Sequence, residues 1–262
     1  MADLRHDAQS GRWVAIAPAR AERPGGEATS EESECPFCAG NERLTPPETL
    51  LIGDGPAGWG VRVVPNLYPA LERQEVVVHA PQHVESFAAL TAASIDLVAE
   101  AWQRRAHDVG GNCFAFLNEG FDAGASQAHS HSQLAWLPAP VAIEPGLPEF
   151  VPIWEGDGLV SGCPVASRVP YEVLIAPADP EPSGLASDLL APALGLLATT
   201  IARLRGLHGE LLALNAWLHD GAYWHLELLP RTTRLAGLEL GAGVFIHGVP
   251  PEEAAEQLRS DG

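Results

Sequence analysis

The sequence contains no lysine: all 15 of its cationic side chains are arginines, and 34 acidic side chains leave a net charge of −19. So few cations in so acidic a chain exclude the broad basic surface that binding to nucleic acid requires. The molecule as a whole would repel an anionic ligand. A few local arginines or backbone amides therefore have to bind any such ligand.

The sequence also lacks long hydrophobic runs. No run approaches the roughly 20 apolar residues that span a bilayer, and residues 1–7 lack the apolar core of a secretory leader. We therefore expect no membrane contact and a cytoplasmic location. Cysteine usage fits that compartment: Cys35 and Cys38 form a close pair, whereas Cys113 and Cys163 stand alone among apolar residues and are predicted to be buried.

What the chain does contain is enough apolar side chain for a core, because 46% of its 262 residues are hydrophobic. A pattern of strand, helix, strand, loop and strand occurs twice along it. This repeat predicts two related halves, 1–155 and 156–262, joined at a seam near residues 156–165; unrelated α+β elements are the alternative. The predicted strands cover residues 13–17, 61–64, 75–79, 113–117, 129–137, 171–176, 211–218 and 224–229, and the predicted helices cover residues 91–107, about 188–207 and a short segment from Pro250.

The most informative segment is His129-Ser130-His131-Ser132-Gln133. Side chains alternate across a strand, so His129, His131 and Gln133 share one face while the two serines occupy the other. Burying such a polar face is costly unless each group has a partner. The segment therefore indicates a functional site rather than core packing, although a single histidine would most often be structural.

A loop at residues 118–127 precedes this strand. Its two glycines, Gly120 and Gly124, let the backbone approach a ligand, and Ser126 adds a hydroxyl. Amides in such a turn can bind an anion, although an ordinary surface turn is the alternative. Beside the histidine strand, the loop predicts a phosphate site next to a nucleophile, because a neutral imidazole attacks phosphorus without a strong base.

Arginines and an asparagine in other loops complete the polar candidates. Arg20 and Arg23 follow the first predicted strand, and two guanidinium groups could bind an outer phosphate, with a solvated surface as the alternative. Asn66 follows the strand at residues 61–64, where its amide could meet a base edge or simply form a turn.

The pair Cys35-Pro36-Phe37-Cys38 has the spacing that lets two thiolates bind one tetrahedral ion. Zinc needs two further ligands, and His83 and His129 are the candidates for a structural Cys₂His₂ site. A redox pair and two unliganded thiols are the alternatives. The strand-to-helix context of a thioredoxin-like motif is absent from the sequence.

Taken together, these segments resemble the galactose-1-phosphate uridylyltransferase family of the histidine-triad superfamily. The resemblance covers most of the chain and rests on an ordered set of sequence words. These are Gly11-Arg12-Trp13-Val14 with Arg20 and Arg23-Pro24; Cys35 to Glu42 with Thr45-Pro46-Pro47-Glu48; Arg62 to Leu71; Gly124 to Gln133; and His225 to Arg231.

The resemblance implies an α+β fold in which two related histidine-triad-like halves share an antiparallel sheet with flanking helices, as a homodimer. It implies that His131 is the nucleophile that takes a nucleoside monophosphate from a nucleotide sugar and passes it to a sugar 1-phosphate. Further implied roles are phosphate contacts for Gln133, Ser126, Gly124, Asn118, Arg20 and Arg23, a place near the nucleoside for Asn66, hexose binding for Glu239, and structural zinc on Cys35, Cys38, His83 and His129.

Three departures from the family pattern stand out. Ser130 and Ser132 replace prolines, which preserves the alternation of functional side chains. A second metal would be held in the second half partly by a histidine pair, but here Glu227 stands in place of one histidine, so His219, His225 and Glu227 are only a possible set. On the hexose side, Leu238 replaces an aromatic residue and Phe245 a glutamine.

The function these residues predict is ping-pong transfer of UMP between a UDP-hexose and a hexose 1-phosphate through a nucleotidyl-His131. An adenylyl-transferring nucleotide-sugar phosphorylase is the alternative within the same chemistry. A histidine-triad hydrolase is disfavoured because Gln133 stands where such enzymes carry a third histidine. A zinc-stabilised nucleotide-binding protein without catalysis is the alternative from another class.

Overall fold

The computed structural model describes residues 3–22, 35–54, 57–139, 141 and 146–260. Its chain divides into two compact units. The first comprises residues 1–86, 90–115 and 126–143, and the second comprises residues 87–89, 116–125 and 144–262.

In the first unit, antiparallel strands follow a hydrogen-bonded order that is not their order along the chain. A separate hairpin near the N-terminus pairs β1 (Asp3–Asp7) with β2 (Arg12–Ile16). The larger series runs β3, β4, β5, β7, β6. Its bounds are Leu50–Ile52 for β3, Val61–Pro65 for β4, Gln74–Val78 for β5, Asn112–Glu119 for β6 and His131–Leu137 for β7.

Helix α1 (Ala92–Val109) belongs to the first unit and matches the helix predicted at residues 91–107. It begins where the Thr91 hydroxyl accepts a hydrogen bond from the Ser94 amide, and it ends at Gly110, whose φ is 67°. Apolar residues at helical spacing, Val98 and Trp102 among them, bury one face.

In the second unit the series runs β6, β11, β12, β10, β9, β8. The bounds are Phe150–Gly156 for β8, Leu159–Pro164 for β9, Val173–Pro177 for β10, Leu214–His219 for β11 and His225–Pro230 for β12. The helices are α2 (Leu190–His208), α3 (Gly237–Ala242) and α4 (Pro251–Ser260).

Helix α2 is long and apolar enough, by length and composition, to cross a bilayer, which the sequence analysis did not expect. Its burial indicates a core helix instead: Leu190, Leu194, Leu197, Ile201 and Leu204 are almost fully buried. A helix of this length with leucines along one side can cover the apolar face of a sheet.

The predicted fold class is confirmed. The succession β5, α1, β6, β7 is repeated by β10, α2, β11, β12, and the strands of both series are antiparallel. The boundary between halves at residues 155 and 156 stays a prediction. Cys113 and Cys163 are buried, as expected, and burial raises the pKa of Cys163 to about 12, which makes its thiol inert.

The seam predicted at residues 156–165 stays a prediction, and this segment contains a feature that was not predicted, the turn between β8 and β9 followed by β9 itself. The turn is made by Asp157 and Gly158, whose φ values are 50° and 77°. Two residues with positive φ suit the right-handed twist of a two-residue hairpin, and Asp-Gly is the dipeptide that adopts it most readily. The sequence signal was present and was overlooked.

Candidate active site and metal cluster

Strand β7 carries the histidine segment, and β5 is its hydrogen-bonded neighbour. In the antiparallel register, His131 pairs with Val78 and Gln133 pairs with Val76. The strand begins two residues later than predicted, since His129 lies in the bend before it. The backbone pairing of β7 with β5 thus fixes His131 and Gln133. His129 lies outside this pairing, and its side chain can face the loop that carries the two cysteines.

Four side chains of the first unit converge as the sequence predicted: Cys35, Cys38, His83 and His129 place their ligand atoms within 4.8 Å of one another. The Nδ1 atom of His129 lies 3.5 Å from the sulfur of Cys35 and 3.6 Å from that of Cys38. The Nδ1 atom of His83 lies 3.3 Å from the Cys38 sulfur.

These separations fit a tetrahedral metal ion. Bonds of about 2.3 Å to sulfur and about 2.0 Å to nitrogen separate neighbouring ligand atoms by about 3.5 Å. The second nitrogen of His129, Nε2, donates to the carbonyl of Ala80 at 2.9 Å, which leaves Nδ1 as the nitrogen with a lone pair facing the thiols. Burial lowers the pKa of His129 to about 4, so its ring is neutral, as a metal ligand must be.

His131 stands two residues further on and is not a member of this cluster. Its Nδ1 lies 2.8 Å from the carbonyl of His129, so Nδ1 carries the proton and Nε2 the lone pair. The ring is 6% exposed and packs at a tilt against Phe37, with ring centroids 5.2 Å apart. The nucleophile predicted from the sequence therefore has a fixed tautomer and a fixed ring plane.

The amide of Gln133 is oriented by a network of three amide side chains. Its Oε1 accepts hydrogen bonds from Gln74 Nε2 at 2.6 Å and from Asn66 Nδ2 at 3.2 Å. Backbone amides orient those two in turn, since Ala70 N donates to Gln74 and Tyr68 N donates to Asn66. With its oxygen held in this way, Gln133 presents its NH₂ group as a donor.

Gln74 is a residue of this site that sequence reasoning missed. No local signal identified it, because Gln74 and Glu75 begin β5 as a polar pair and the partner of Gln74, Gln133, lies 59 residues away. Arg20 is anchored to the same loop, because its guanidinium donates to the carbonyl of Tyr68 at 2.9 Å. Arg23 lies outside the described residues. Ser126 is half-buried, and its contact with phosphate stays a prediction.

In the second unit, Asn118 is tied to a polar pair that the sequence analysis did not single out. Its Oδ1 accepts from Asn215 Nδ2 at 2.7 Å, and Asn215 accepts from Arg231 Nε at 2.6 Å. Gly124 has a φ of 84°, which closes a short helical turn. The amides of residues 123–125 donate to carbonyls of the same turn, so the anion-binding role of Gly124 stays a prediction.

Glu239 lies in α3, where its carboxylate accepts a hydrogen bond from Ala236 N at 2.9 Å. Hydrogen bonds from its own backbone amide and from Ala236 lower the pKa of Glu239. The carboxylate therefore caps its own helix, and its contact with a hexose stays a prediction.

A second cluster in the second unit brings His219, His225 and Glu227 within 4.8 Å of one another. Its carboxylate is already engaged: Arg168 binds Oε1 of Glu227, and His219 Nε2 lies 2.7 Å from Oε2. Arg168 also binds the buried carboxylate of Glu172 at 2.6 Å. As these side chains stand, a guanidinium supplies the positive charge of the cluster and occupies the carboxylate that a metal ion would bind.

The pKa values of the two carboxyl groups bound to Arg168, those of Glu172 and Glu227, shift in opposite directions. Burial, together with a hydrogen bond to Glu227, raises the pKa of Glu172 to about 7. Burial alone would raise the pKa of Glu227 too, but its contacts with His219 and Arg168 outweigh burial and lower it. Burial also lowers the pKa of His225, whose Nδ1 lies 3.0 Å from the carbonyl of Tyr223.

The repeated strand and helix order, with a histidine strand beside a thiol and imidazole cluster, is the arrangement that the resemblance to the histidine-triad superfamily implied. A family model described as the N-terminal domain of galactose-1-phosphate uridyl transferase matches residues 68–137, from the loop before β5 to the end of β7. This match supports the resemblance to the galactose-1-phosphate uridylyltransferase family that the sequence predicted.

Relatives that match nearly the whole chain support the same resemblance. An ADP-glucose phosphorylase from Arabidopsis thaliana is 28% identical, over 98% of this chain and 92% of the relative. A galactose-1-phosphate uridylyltransferase from Thermotoga maritima is 22% identical, over 99% and 98%. The crystal structure of the Arabidopsis thaliana ADP-glucose phosphorylase with bound ADP-glucose has a TM-score of 0.79 to this fold at 26% identity, covering 99% of this chain and 98% of that one.

Proposed function

We propose that this protein is a nucleotidyltransferase that moves a nucleoside monophosphate from a nucleotide sugar to a phosphate acceptor through a covalent intermediate on His131. The observation that carries the proposal is that His129 and His131, two residues apart, direct their lone pairs to different places. His129 turns its lone pair toward the paired thiols, whereas the hydrogen bond from Nδ1 of His131 leaves the lone pair of His131 on Nε2.

The chemistry consists of two in-line displacements. His131 Nε2 attacks the α-phosphorus of the nucleotide sugar, the Nε2–P bond forms, and the bond from phosphorus to the bridging oxygen breaks, which releases the sugar 1-phosphate. In the second step an oxygen of the acceptor phosphate attacks the same phosphorus, and the imidazole leaves. Because Nδ1 keeps its proton throughout, Nε2 is a nucleophile in the first step and a good leaving group in the second.

Gln133 supports both displacements. Its NH₂ group, oriented by Asn66 and Gln74, donates to a non-bridging oxygen of the transferred phosphate, where negative charge is greatest in the transition state. Removing one such donor costs about 10²–10³-fold in rate. The remaining predicted contacts belong to this proposal: Ser126, Gly124, Asn118, Arg20 and Arg23 on the phosphates, Asn66 near the nucleoside, and Glu239 on the hexose.

Cys35, Cys38, His83 and His129 would hold zinc as a structural ion. When bound, the ion contributes folding free energy by tying the Cys35 to Cys38 loop to the segment before β7. All four ligand positions belong to protein side chains, so no position is left for a substrate. We further propose a homodimer located in the cytoplasm.

Two donors compete within this chemistry. The sequence words favour a UDP-hexose with a hexose 1-phosphate as acceptor. The higher identity of the ADP-glucose phosphorylase, 28% against 22%, favours an adenylyl donor with inorganic phosphate as acceptor. Leu238 and Phe245 at the hexose positions do not distinguish the two, because the donor of either reaction carries a hexose.

Intact-protein mass spectrometry tests the proposal. The protein is mixed separately with ADP-glucose and with UDP-glucose, without acceptor, and the mass increase identifies the transferred nucleotide. We expect one adenylyl or uridylyl group per chain, removed by inorganic phosphate or by a hexose 1-phosphate according to the acceptor. A nucleotide that binds in calorimetry but never forms an adduct would identify a binding protein without catalysis.

A further inference from the structure

Behind the nucleophile, on the side of β7 to which its serines point, lies a buried histidine without a role in the proposed chemistry. His79 follows β5 directly and is fully buried. Its Nδ1 lies 2.9 Å from the hydroxyl of Ser130, and its Nε2 lies 2.9 Å from the hydroxyl of Ser132. One ring thus bridges the residues on either side of His131.

A fourth side chain extends this bridge. Trp102 of helix α1 donates from its indole nitrogen to the Ser132 hydroxyl at 2.9 Å. An indole can only donate, so the Ser132 hydroxyl accepts from Trp102, while a neutral His79 ring donates to one serine hydroxyl and accepts from the other. All four side chains are almost completely buried, which makes each hydrogen bond costly to lose.

We propose that His79 is a positioning residue for His131: by bridging Ser130 and Ser132 it fixes the backbone that carries the nucleophile. This inference rests on the proposed function, since it concerns the rate at which His131 forms its adduct. The bridge defined by His79, Ser130 and Ser132 is called the serine clamp below.

The backbone around the clamp supports this role. His79 N donates to the carbonyl of Ser130 at 3.3 Å, and His129 Nε2 donates to the carbonyl of the next residue, Ala80. His79 and Ala80 therefore hold both residues that precede His131. Without a partner, serine hydroxyls bond to nearby backbone groups and compete with the strand ladder. The clamp removes that competition at the point where ring placement matters.

His79 acts as a neutral ring. Burial lowers its pKa far below the ordinary value, and the neighbouring His131 and His129 lower it further. A neutral imidazole can donate at one nitrogen and accept at the other, so it can form a hydrogen bond with both serine hydroxyls. Because its two ring nitrogens already have serine partners behind the strand, His79 has no place as an acid or base in the transfer.

The test is the single-turnover rate of adduct formation with ADP-glucose and with UDP-glucose, measured alongside KM, metal content and thermal stability. For His79→Leu we expect a loss of about 10²-fold in the rate, because displacement of a reacting atom by about 1 Å has that effect. The KM for the nucleotide sugar and the metal content should change little. His79→Asn, which retains the Ser130 contact, and His79→Gln, which retains the Ser132 contact, should each restore part of the rate.

Three further variants separate positioning from stability. Ser132→Ala should slow adduct formation, whereas Ser161→Ala, an equally buried serine on β9, should not. Combining His79→Leu with Ser130→Ala and Ser132→Ala should slow the reaction no further than His79→Leu alone, because residues that act together are not additive.

An adduct rate unchanged in His79→Leu, or in His79→Asn if the leucine variant fails to fold, would overturn the inference and leave the proposed function intact. Full additivity in the triple variant would overturn it as well. A wild-type chain that forms no adduct with either nucleotide sugar would overturn the proposed function and this inference together.

Discussion

The two halves carry matching histidines in unlike surroundings. His131 and His225 each direct Nδ1 to the carbonyl two residues earlier, at 2.8 Å and 3.0 Å. Two residues after His131 comes Gln133, a neutral donor, whereas two residues after His225 comes Glu227, a carboxylate bound to Arg168. The same strand geometry thus places a neutral amide beside the histidine in one half and a carboxylate in an ion pair in the other, and the difference lies in the charge of the neighbouring side chain.

The clusters beside these histidines differ in the same sense. Cys35, Cys38, His83 and His129 offer four ligand atoms and no internal cation, so they suit a metal. In the second unit Arg168 stacks on Trp217, with the guanidinium carbon 5.2 Å from the ring centroid, and binds both carboxyl groups. The comparison indicates two ways to compensate buried anionic groups in one protein: a metal ion for the thiolates, and an arginine side chain for the carboxylates.

Loss of the metal should have the largest effect on this comparison. Cys35→Ser removes one of four ligands, and structural zinc contributes on the order of 10 kcal/mol of binding free energy to small folded domains. We expect the variant to bind no metal, and we expect its first unit to unfold without a cooperative transition. Metal analysis measures the bound ion, and calorimetry measures the unfolding transition of the variant and of the wild type with and without a chelator. Cys113→Ser is the matched control, and equal stability of the wild type with and without chelator would contradict the prediction.

A carboxylate at position 133, which matches Glu227 of the second half, should nearly abolish nucleotidyl transfer. Gln133→Glu replaces a phosphate donor by a negative charge, and we expect a loss of about 10³-fold in turnover. Stability should change little at neutral pH. Glu227→Gln is the reciprocal control and should leave the adduct rate within about 10-fold. Normal turnover in Gln133→Glu would show that this amide does not contact the transferred phosphate.

Opening the second cluster tests whether Arg168 takes the place of a metal. Arg168→Gln leaves Glu172 and Glu227 without their cation, at a cost of about 2 kcal/mol, reduced by solvent because about a third of the Arg168 side chain is exposed. We expect one bound metal per chain in the wild type and a second divalent ion in the variant. Two equivalents in the wild type would mean that Arg168 does not close the cluster.

The smallest expected effect is a pH dependence of stability in the second cluster. The pKa of Glu172 is raised in the folded state, so its protonated form stabilises the fold below pH 4.5 and this contribution is lost as the pH rises toward about 7. Relative to Glu172→Gln, the wild type should lose about 1 kcal/mol between pH 5 and pH 8. Denaturant unfolding at both pH values measures this, and a constant difference would show that Glu172 is ionised throughout.

Much of this arrangement could be predicted from local sequence. Helix α1, the core strands and the alternation around His131 follow from periodicity, and the four predicted metal ligands do converge. Gln74 and Arg168 could not be predicted, because their roles depend on partners 59 residues away, Gln133 and Glu227. His79 carried no local signal either, since its bridge to Ser130 and Ser132 exists only once β5 and β7 pair.

The central claim is that one imidazole forms a bond with phosphorus while its neighbour two residues earlier binds metal. The intact mass of three proteins after mixing with ADP-glucose or UDP-glucose tests it most directly: wild type, His131→Ala and His225→Ala. We predict a nucleotidyl adduct on the wild type and on His225→Ala, none on His131→Ala, and the same metal content in all three. An adduct that persists in His131→Ala would contradict the account.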